Sequence, residues 1–305
     1  MDQKEILVTL TTTLEDNQEL LRSSISSEEK KILLISLIEN SCEAYDEITV
    51  TNATTLLKHY LIDENLDIDK VIFHMKEWHH GQLINQANHR EIEDKFDQKY
   101  GTLTAIVKHQ YDLQEIVSID RLINSEMYHP TPVKTMYLAL ESLVIDYSDY
   151  TFIDIGSGMG RNLLIASEYP FQRIIGIEIS SYLHRIAEKN INIYKNKSTT
   201  QKSKNILSHC IDVLDFEFSG DESFILYFWH PFSNEIFDKL FQKILNAVKI
   251  RNKEIILIFL DNVYPIVKSS KKFKLINTIQ TEDKLTHSDY SFIFTWASTE
   301  FVDNA

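Results

Sequence analysis

Two hydrophobic rhythms run along this chain. Over residues 1–100, apolar positions recur at three- and four-residue steps among Glu, Lys and His, with little glycine or proline, so this region is expected to be mainly helical. One helix is expected to open at Ser26-Ser27-Glu28-Glu29, a capping-box pattern ahead of Ile32, Leu33, Ile35 and Leu37. Further helices are expected over 52–62, 67–78 and 85–98. From residue 150 the rhythm becomes one of short β-branched and aromatic runs, at 151–155, 173–178, 206–211, 223–229, 254–260, 272–279 and 290–297. Amphipathic stretches at 160–169, 181–195 and 234–250 lie between the first five runs and suit right-handed crossovers between parallel strands. Only Thr281 to Asp289 separates the last two runs, too few residues for a helical crossover, so those strands are expected to pair antiparallel at one edge. The pattern predicts an α/β fold: a doubly wound, Rossmann-like, seven-stranded sheet with an antiparallel final hairpin, over residues 101–305, behind a helical region at 1–100.

Composition narrows this picture. With 305 residues and 43% hydrophobic content the chain fills a large core, which excludes a disordered or fibrous protein. Two cysteines, Cys42 and Cys210, lie far apart, so neither a disulfide framework nor a zinc site is indicated. His74, His79, His80 and His89 lack the i, i+4 spacing and companion Glu of a helical zinc pair, and no metal is expected. The charged start, Met1 to Glu5, is unlike an export signal, and no apolar run reaches eighteen residues; a cytoplasmic protein with no membrane association is expected. The formal charge of −14 repels phosphate backbones, which disfavours nucleic acid despite short basic stretches at Lys195 to Lys204 and Lys268 to Lys274.

The chemistry concentrates after the first strand, in Gly156-Ser157-Gly158-Met159-Gly160. Three of the chain's seven glycines fall in these five residues, where a missing Cβ lets backbone approach a ligand. A dinucleotide loop places its third glycine three residues beyond the second, at position 161, yet that residue is Arg161 and the glycine is Gly160. Asp154, two residues before the loop, would repel a pyrophosphate but suits the ammonium of a methionine moiety. Both features favour S-adenosylmethionine over a nicotinamide dinucleotide. Glu178 ends the next strand where a carboxylate grips ribose hydroxyls. Asp212, with Asp215 as competitor, ends the third strand where an acid accepts the adenine amino group, between Ile179 and Val213. The fourth strand delivers His230-Pro231-Phe232 to the carboxyl edge, where substrates enter; a polar-Pro-aromatic segment there offers acceptors to an amine, and His230 is the candidate for orienting or deprotonating a nucleophile.

With these residues in place, the chain resembles a family of bacterial class I methyltransferases over about residues 96–297. Phe96-Asp97, Tyr100-Gly101 and Thr104 are similar to the family's opening segment, Tyr128-His129-Pro130-Thr131 to its Tyr-x-Pro-Thr element, and Asp154 to Arg161 to its Asp-x-Gly-Ser-Gly-x-Gly-Arg loop. More distantly it resembles the seven-stranded histone-lysine methyltransferases, which also place a tyrosine-bearing loop before an Asp-x-Gly-Ser-Gly turn. The resemblance implies that Tyr128 and Thr131 close over the methionine end of the cofactor. The family usually carries Asn where this chain has His230 and often Lys where it has Met159.

The expected activity is methyl transfer from S-adenosylmethionine to a nitrogen on a protein or peptide, with Tyr128 and His230 lining the opening; the distant lysine-methyltransferase likeness and the acidic charge point that way. A small-molecule methyltransferase is the alternative, and a catalytically inactive binding scaffold the next. Residues 1–95 match no known pattern and are assigned to a substrate cap, partner docking or homodimerisation.

Overall fold

The computed structural model describes residues 3–23, 25–43, 54, 57, 67–88, 94–108, 125–251, 253–281 and 291–299. Most of the helix expected over 52–62, and the hairpin loop beyond Thr281, lie outside them. The chain forms two compact units, residues 1–92 with 107–123 and residues 93–106 with 124–305.

The first unit is helical. Helix α1 (Gln3–Asp16) buries an apolar stripe, the short α2 (Gln18–Arg22) buries Leu21, and α3 (Ser27–Cys42) and α4 (Ile68–Asn88) each bury an apolar stripe. Ile6, Leu7, Leu10 and Leu14 of α1 meet Leu34 and Ile38 of α3 and Val71, Met75 and Trp78 of α4 in one core. The capping box at α3 forms: the Glu29 N–H donates to Ser26 Oγ at 3.2 Å, and the Ser26 N–H to Glu29 Oε2 at 2.8 Å. Its buried stripe is Leu34, Ile38 and Cys42, four residues apart, whereas Ile32 and Ile35 are exposed. The expectation for 85–98 is corrected. Residues 85–88 continue α4, and a separate short helix α5 (Lys95–Tyr100) begins because Asp94 Oδ1 accepts the N–H groups of Phe96 and Asp97, both at 3.0 Å. Among the described residues, no helix is long and apolar enough to cross a membrane.

The second unit holds a seven-stranded sheet, β1 (Tyr150–Ile155), β2 (Arg173–Glu178), β3 (Ile206–Cys210), β4 (Ser223–Phe228), β5 (Ile255–Leu260), β6 (Phe273–Thr281) and β7 (Ser291–Ser298), in the order β3-β2-β1-β4-β5-β7-β6. The first five run parallel; β7 pairs antiparallel with both β5 and β6. The inner strands are covered on both faces, so they read as unbroken apolar runs rather than alternating ones. One face packs Phe152, Ile225, Tyr227 and Ile258 against α6 (Val133–Glu141), α7 (Arg161–Ala166) and α8 (Ser181–Lys197). The other packs Ile153, Leu226 and Phe259 against α9 (Asn234–Arg251), with α10 (Pro265–Ser269) alongside. The chain leaves β1 towards β2 and β3, then returns through β4 and β5, so connections diverge at the carboxyl ends of β1 and β4. A crevice at such a divergence is where ligands bind in open α/β sheets.

A composition boundary at residue 100 cuts through the opening of the second unit. Asp94 and Asp97 belong with that unit, because both hold partners within it: Arg161 at 2.7 Å for Asp94, and Thr104 at 2.7 Å for Asp97.

Candidate functional site

Backbone geometry at the end of β1 makes the glycines necessary. Gly156, Gly158 and Gly160 have φ of 79°, 51° and 85°, in the left-handed region. Gly156 and Ser157 both donate their N–H to the Ile177 carbonyl, at 2.9 and 3.0 Å, which folds the loop back over β2. A Cβ on Gly156 would lie 2.7 Å from Pro231 Cβ, and one on Gly158 would run into the Tyr128 ring. The loop is therefore pressed between the Tyr128 segment and the segment that follows β4. Ser157 Oγ is buried with no hydrogen-bond partner, and it explains a glycine inside β2: a Cβ on Gly176 would approach that oxygen to 2.6 Å.

Two buried carboxylates face this loop, and neither has a basic partner among the described ion pairs. Asp154 is 3% exposed; burial pushes its pKa up to about 7, the Asn162 side chain opposes that, and the Glu178 charge adds to it. Glu178 is also raised by burial, against the pull of N–H groups from Ser180, Gly158 and Ile179. Its Oε2 accepts the Gly158 N–H and its Oε1 the Ser180 N–H, each at 2.8 Å. Asp212 is half-buried and caps the short 3-10 turn Val213–Asp215, accepting the Leu214 N–H at 2.8 Å. Val213 is buried, Ile179 half-buried and Asp215 exposed.

The predicted lid residues approach the same loop. The Tyr128 hydroxyl donates to the Thr104 carbonyl at 2.8 Å, and burial raises its phenol above the ordinary value. Thr131 is buried; its Oγ1 accepts from Asn162 Nδ2 and pairs with the Tyr227 hydroxyl, both at 3.2 Å. Tyr227 stands opposite Asp154 in the β1–β4 register, so Asp154, Asn162, Thr131 and Tyr227 share one buried polar pocket. Asn162 Oδ1 there has no partner.

His230 lies at the carboxyl end of β4, with φ of 42°. Asp261 ends the neighbouring β5 with φ of 66°, two residues past Phe259 as His230 is two past its register partner Phe228. Burial lowers the His230 pKa, against an upward pull from Asp261. Its ring lies 6.0 Å from Tyr264, and no described contact joins it to Tyr128. Asp261 Oδ1 accepts the Phe292 N–H at 3.2 Å, while Oδ2 is buried without a partner. The Tyr128 segment reaches this edge elsewhere, through the Ser125–Phe232 bridge and the packing of His129 on Trp229 at 5.1 Å.

The structure thus brings together Asp154, the glycine loop, Glu178, Tyr128 and Thr131, and sets His230 apart on the next strand end. Sequence reasoning missed Asn162, Tyr227, Asn190 and Asp261, and it quoted Arg161 and Thr104 as motif residues of the resemblance without giving either a role. Arg161 left a further signal, a charged residue heading an otherwise apolar turn, Leu163-Leu164-Ile165. Among the described residues, no three His, Cys, Asp or Glu side chains gather to hold a metal. The residues present fit S-adenosylmethionine. Buried carboxylates without cations suit its ammonium and ribose hydroxyls, the orphaned Ser157 and Asn162 oxygens await donors, and the glycine cradle leaves backbone bare.

The sequence pattern of the family described as histone methylation protein DOT1 matches residues 121–302, more than half of the chain. Among curated proteins, none matches. Similar solved structures include an RNA methyltransferase from Salinibacter ruber in complex with S-adenosyl-L-homocysteine, 19% identical, covering 55% of this chain and 93% of that one, TM-score 0.38. A putative tRNA (m1A22) methyltransferase of Streptococcus pneumoniae is 13% identical over 55% and 71%, TM-score 0.41. A methyltransferase of Leishmania major is 10% identical over 54% and 70%, TM-score 0.41.

Proposed function

Because the chain belongs to the DOT1 histone methylation family and is an S-adenosylmethionine-dependent methyltransferase, we propose that it methylates a nitrogen on a protein or peptide. The family match over residues 121–302 carries this reading. The net charge of −14 supports it, since it draws a basic acceptor towards the site. We also assign the chain to the bacterial class I methyltransferases that it resembles through Phe96-Asp97, Tyr100-Gly101 and the Asp154 to Arg161 loop.

Bound S-adenosylmethionine supplies a methyl group already activated by its sulfonium. Asp154, as a carboxylate, would hold the methionine ammonium, and Glu178 would accept from the ribose hydroxyls. Asp212 accepts from the adenine amino group, with Ile179 and Val213 flanking the ring. Tyr128 and Thr131 close over the methionine end and exclude water. His230, whose cation burial disfavours, orients the acceptor nitrogen and takes its proton. The rest of the catalysis is alignment of the attacking nitrogen. The first unit serves as substrate cap, docking module or dimer contact, and the protein works in the cytoplasm.

The test is incubation with methyl-labelled S-adenosylmethionine and, separately, core histones, a mixed protein pool, total RNA and a small-molecule extract. Label on protein lysines is expected. Label confined to RNA or small molecules overturns the acceptor reading and leaves the methyltransferase assignment standing.

A further inference from the structure

We infer that Arg161 is a positioning residue of the methyl-donor site: it keys the segment Asp94–Ala105 and the Thr131 turn onto the glycine loop, seating Tyr128 before the cofactor arrives. This rests on the donor-site reading above and adds to it a part that lies upstream of the residues matched by the family.

Arg161 follows Gly160 directly and is only 5% exposed. Its guanidinium spends its donors on two separate stretches of chain. Nη2 donates to Asp94 Oδ2 at 2.7 Å, Nε to Thr104 Oγ1 at 2.8 Å and Nη1 to the Thr131 carbonyl at 3.5 Å, with Asp97 Oδ2 at 3.9 Å. Asp97 makes the segment rigid from within. It accepts the hydroxyls of Thr102 and Thr104 at 2.7 and 2.8 Å, and the N–H groups of Thr104 and Ala105 at 2.7 and 2.9 Å. Thr104 is the pivot: its hydroxyl donates to Asp97 and accepts from Arg161, and its carbonyl receives the Tyr128 hydroxyl whose ring covers Gly158. A second, uncharged tie runs beside it. Asn190 donates to the carbonyls of Leu103 and Met159, at 2.8 and 2.9 Å, and accepts the Leu103 N–H at 2.8 Å.

A charge buried this deeply persists only when its partners are fixed, and here those partners carry both lid residues. Packing alone would need no fork. A lysine at 161 would keep one point contact with Asp94 and lose the geometry that also fixes Thr104 and Thr131. The segment is thus a clasp, and Arg161 is what holds it to the loop.

The test compares wild type, Arg161→Lys and Asp94→Asn by calorimetry with S-adenosylhomocysteine and by amide hydrogen exchange of the ligand-free proteins. For Arg161→Lys the expected results are affinity weakened by about tenfold or more, equivalent to 1.4 kcal/mol, and faster exchange at Thr104 and Ala105. Asp94→Asn, which keeps the Thr104 bond, should lose about threefold and serves if the lysine variant fails to fold. Folded variants that bind S-adenosylhomocysteine as wild type does, even with a lower melting temperature, overturn the inference alone. A wild type that binds no S-adenosylhomocysteine overturns the donor-site reading and the inference with it.

Discussion

The carboxyl edge of the sheet is built in two ways on either side of β1 and β4. On the donor side, between β1 and β2, the charged groups are heavily tied even though Ser157 Oγ and Asn162 Oδ1 stay unpaired: Glu178 takes backbone N–H groups, Asp97 four donors and Arg161 three acceptors. On the acceptor side, β4 and β5 end in two left-handed residues, His230 and Asp261, with few bonds and a buried oxygen left unpaired. Under the proposed function, the first half would hold a single ligand of fixed form and the second would leave the shape of its substrate open, as one donor fold serves many acceptors.

That contrast breaks first at Arg161. Arg161→Ala leaves Asp94 and Asp97 without their buried cation and should cost about 3–5 kcal/mol of stability, read by denaturant unfolding. A loss below about 1 kcal/mol would mean the pair is solvated and the donor side less tightly built than described. Gly158→Ala comes next, because its Cβ meets the Tyr128 ring at a positive φ. Overpacking and strain together should weaken S-adenosylhomocysteine binding by about 2–4 kcal/mol, with the fold intact by circular dichroism.

His230→Ala sharpens the comparison from the other side. Methyl transfer should fall on the order of a hundredfold, whereas S-adenosylhomocysteine affinity stays within about twofold. Equal losses in both would place His230 in the donor site.

The smallest effect is one of pH. The carboxyl of Asp154, raised by burial from 3.8 to about 7, favours the ligand-free fold while protonated. That contribution is complete below pH 3.8 and is lost as pH rises through 7. Binding of a cationic ammonium needs the ionised form, so donor affinity should rise with pH, by about tenfold between pH 6 and pH 8. Asp154→Asn should flatten the profile; a flat wild-type profile would show the carboxylate charged throughout.

Much of the donor side is legible in sequence because it depends on near neighbours. Asp154, the glycines and Glu178 follow from where strands end and where a Cβ is forbidden. The clasp is not legible as a set of contacts, because Asp94 lies in no motif, and Thr104, Thr131 and Arg161, each quoted within a motif, are far apart along the chain. The same limit hid Asp261, an ordinary acid until its strand lies beside β4. Around residue 90 the apolar period suggested one helix, but the Asp94 cap set a new start, and a cap is a single side chain that periodicity does not weigh.

By itself the sequence determined the strands, their crossovers, the antiparallel closing pair and the glycine loop after β1, since all of these are set by local period and local backbone freedom. Tertiary structure alone decided that Tyr128 is hung from Thr104, that a buried arginine joins the lid to the loop, and that His230 shares its edge with Asp261. Those relations are contacts between distant segments, fixed only when burial brings their partners into one dry place.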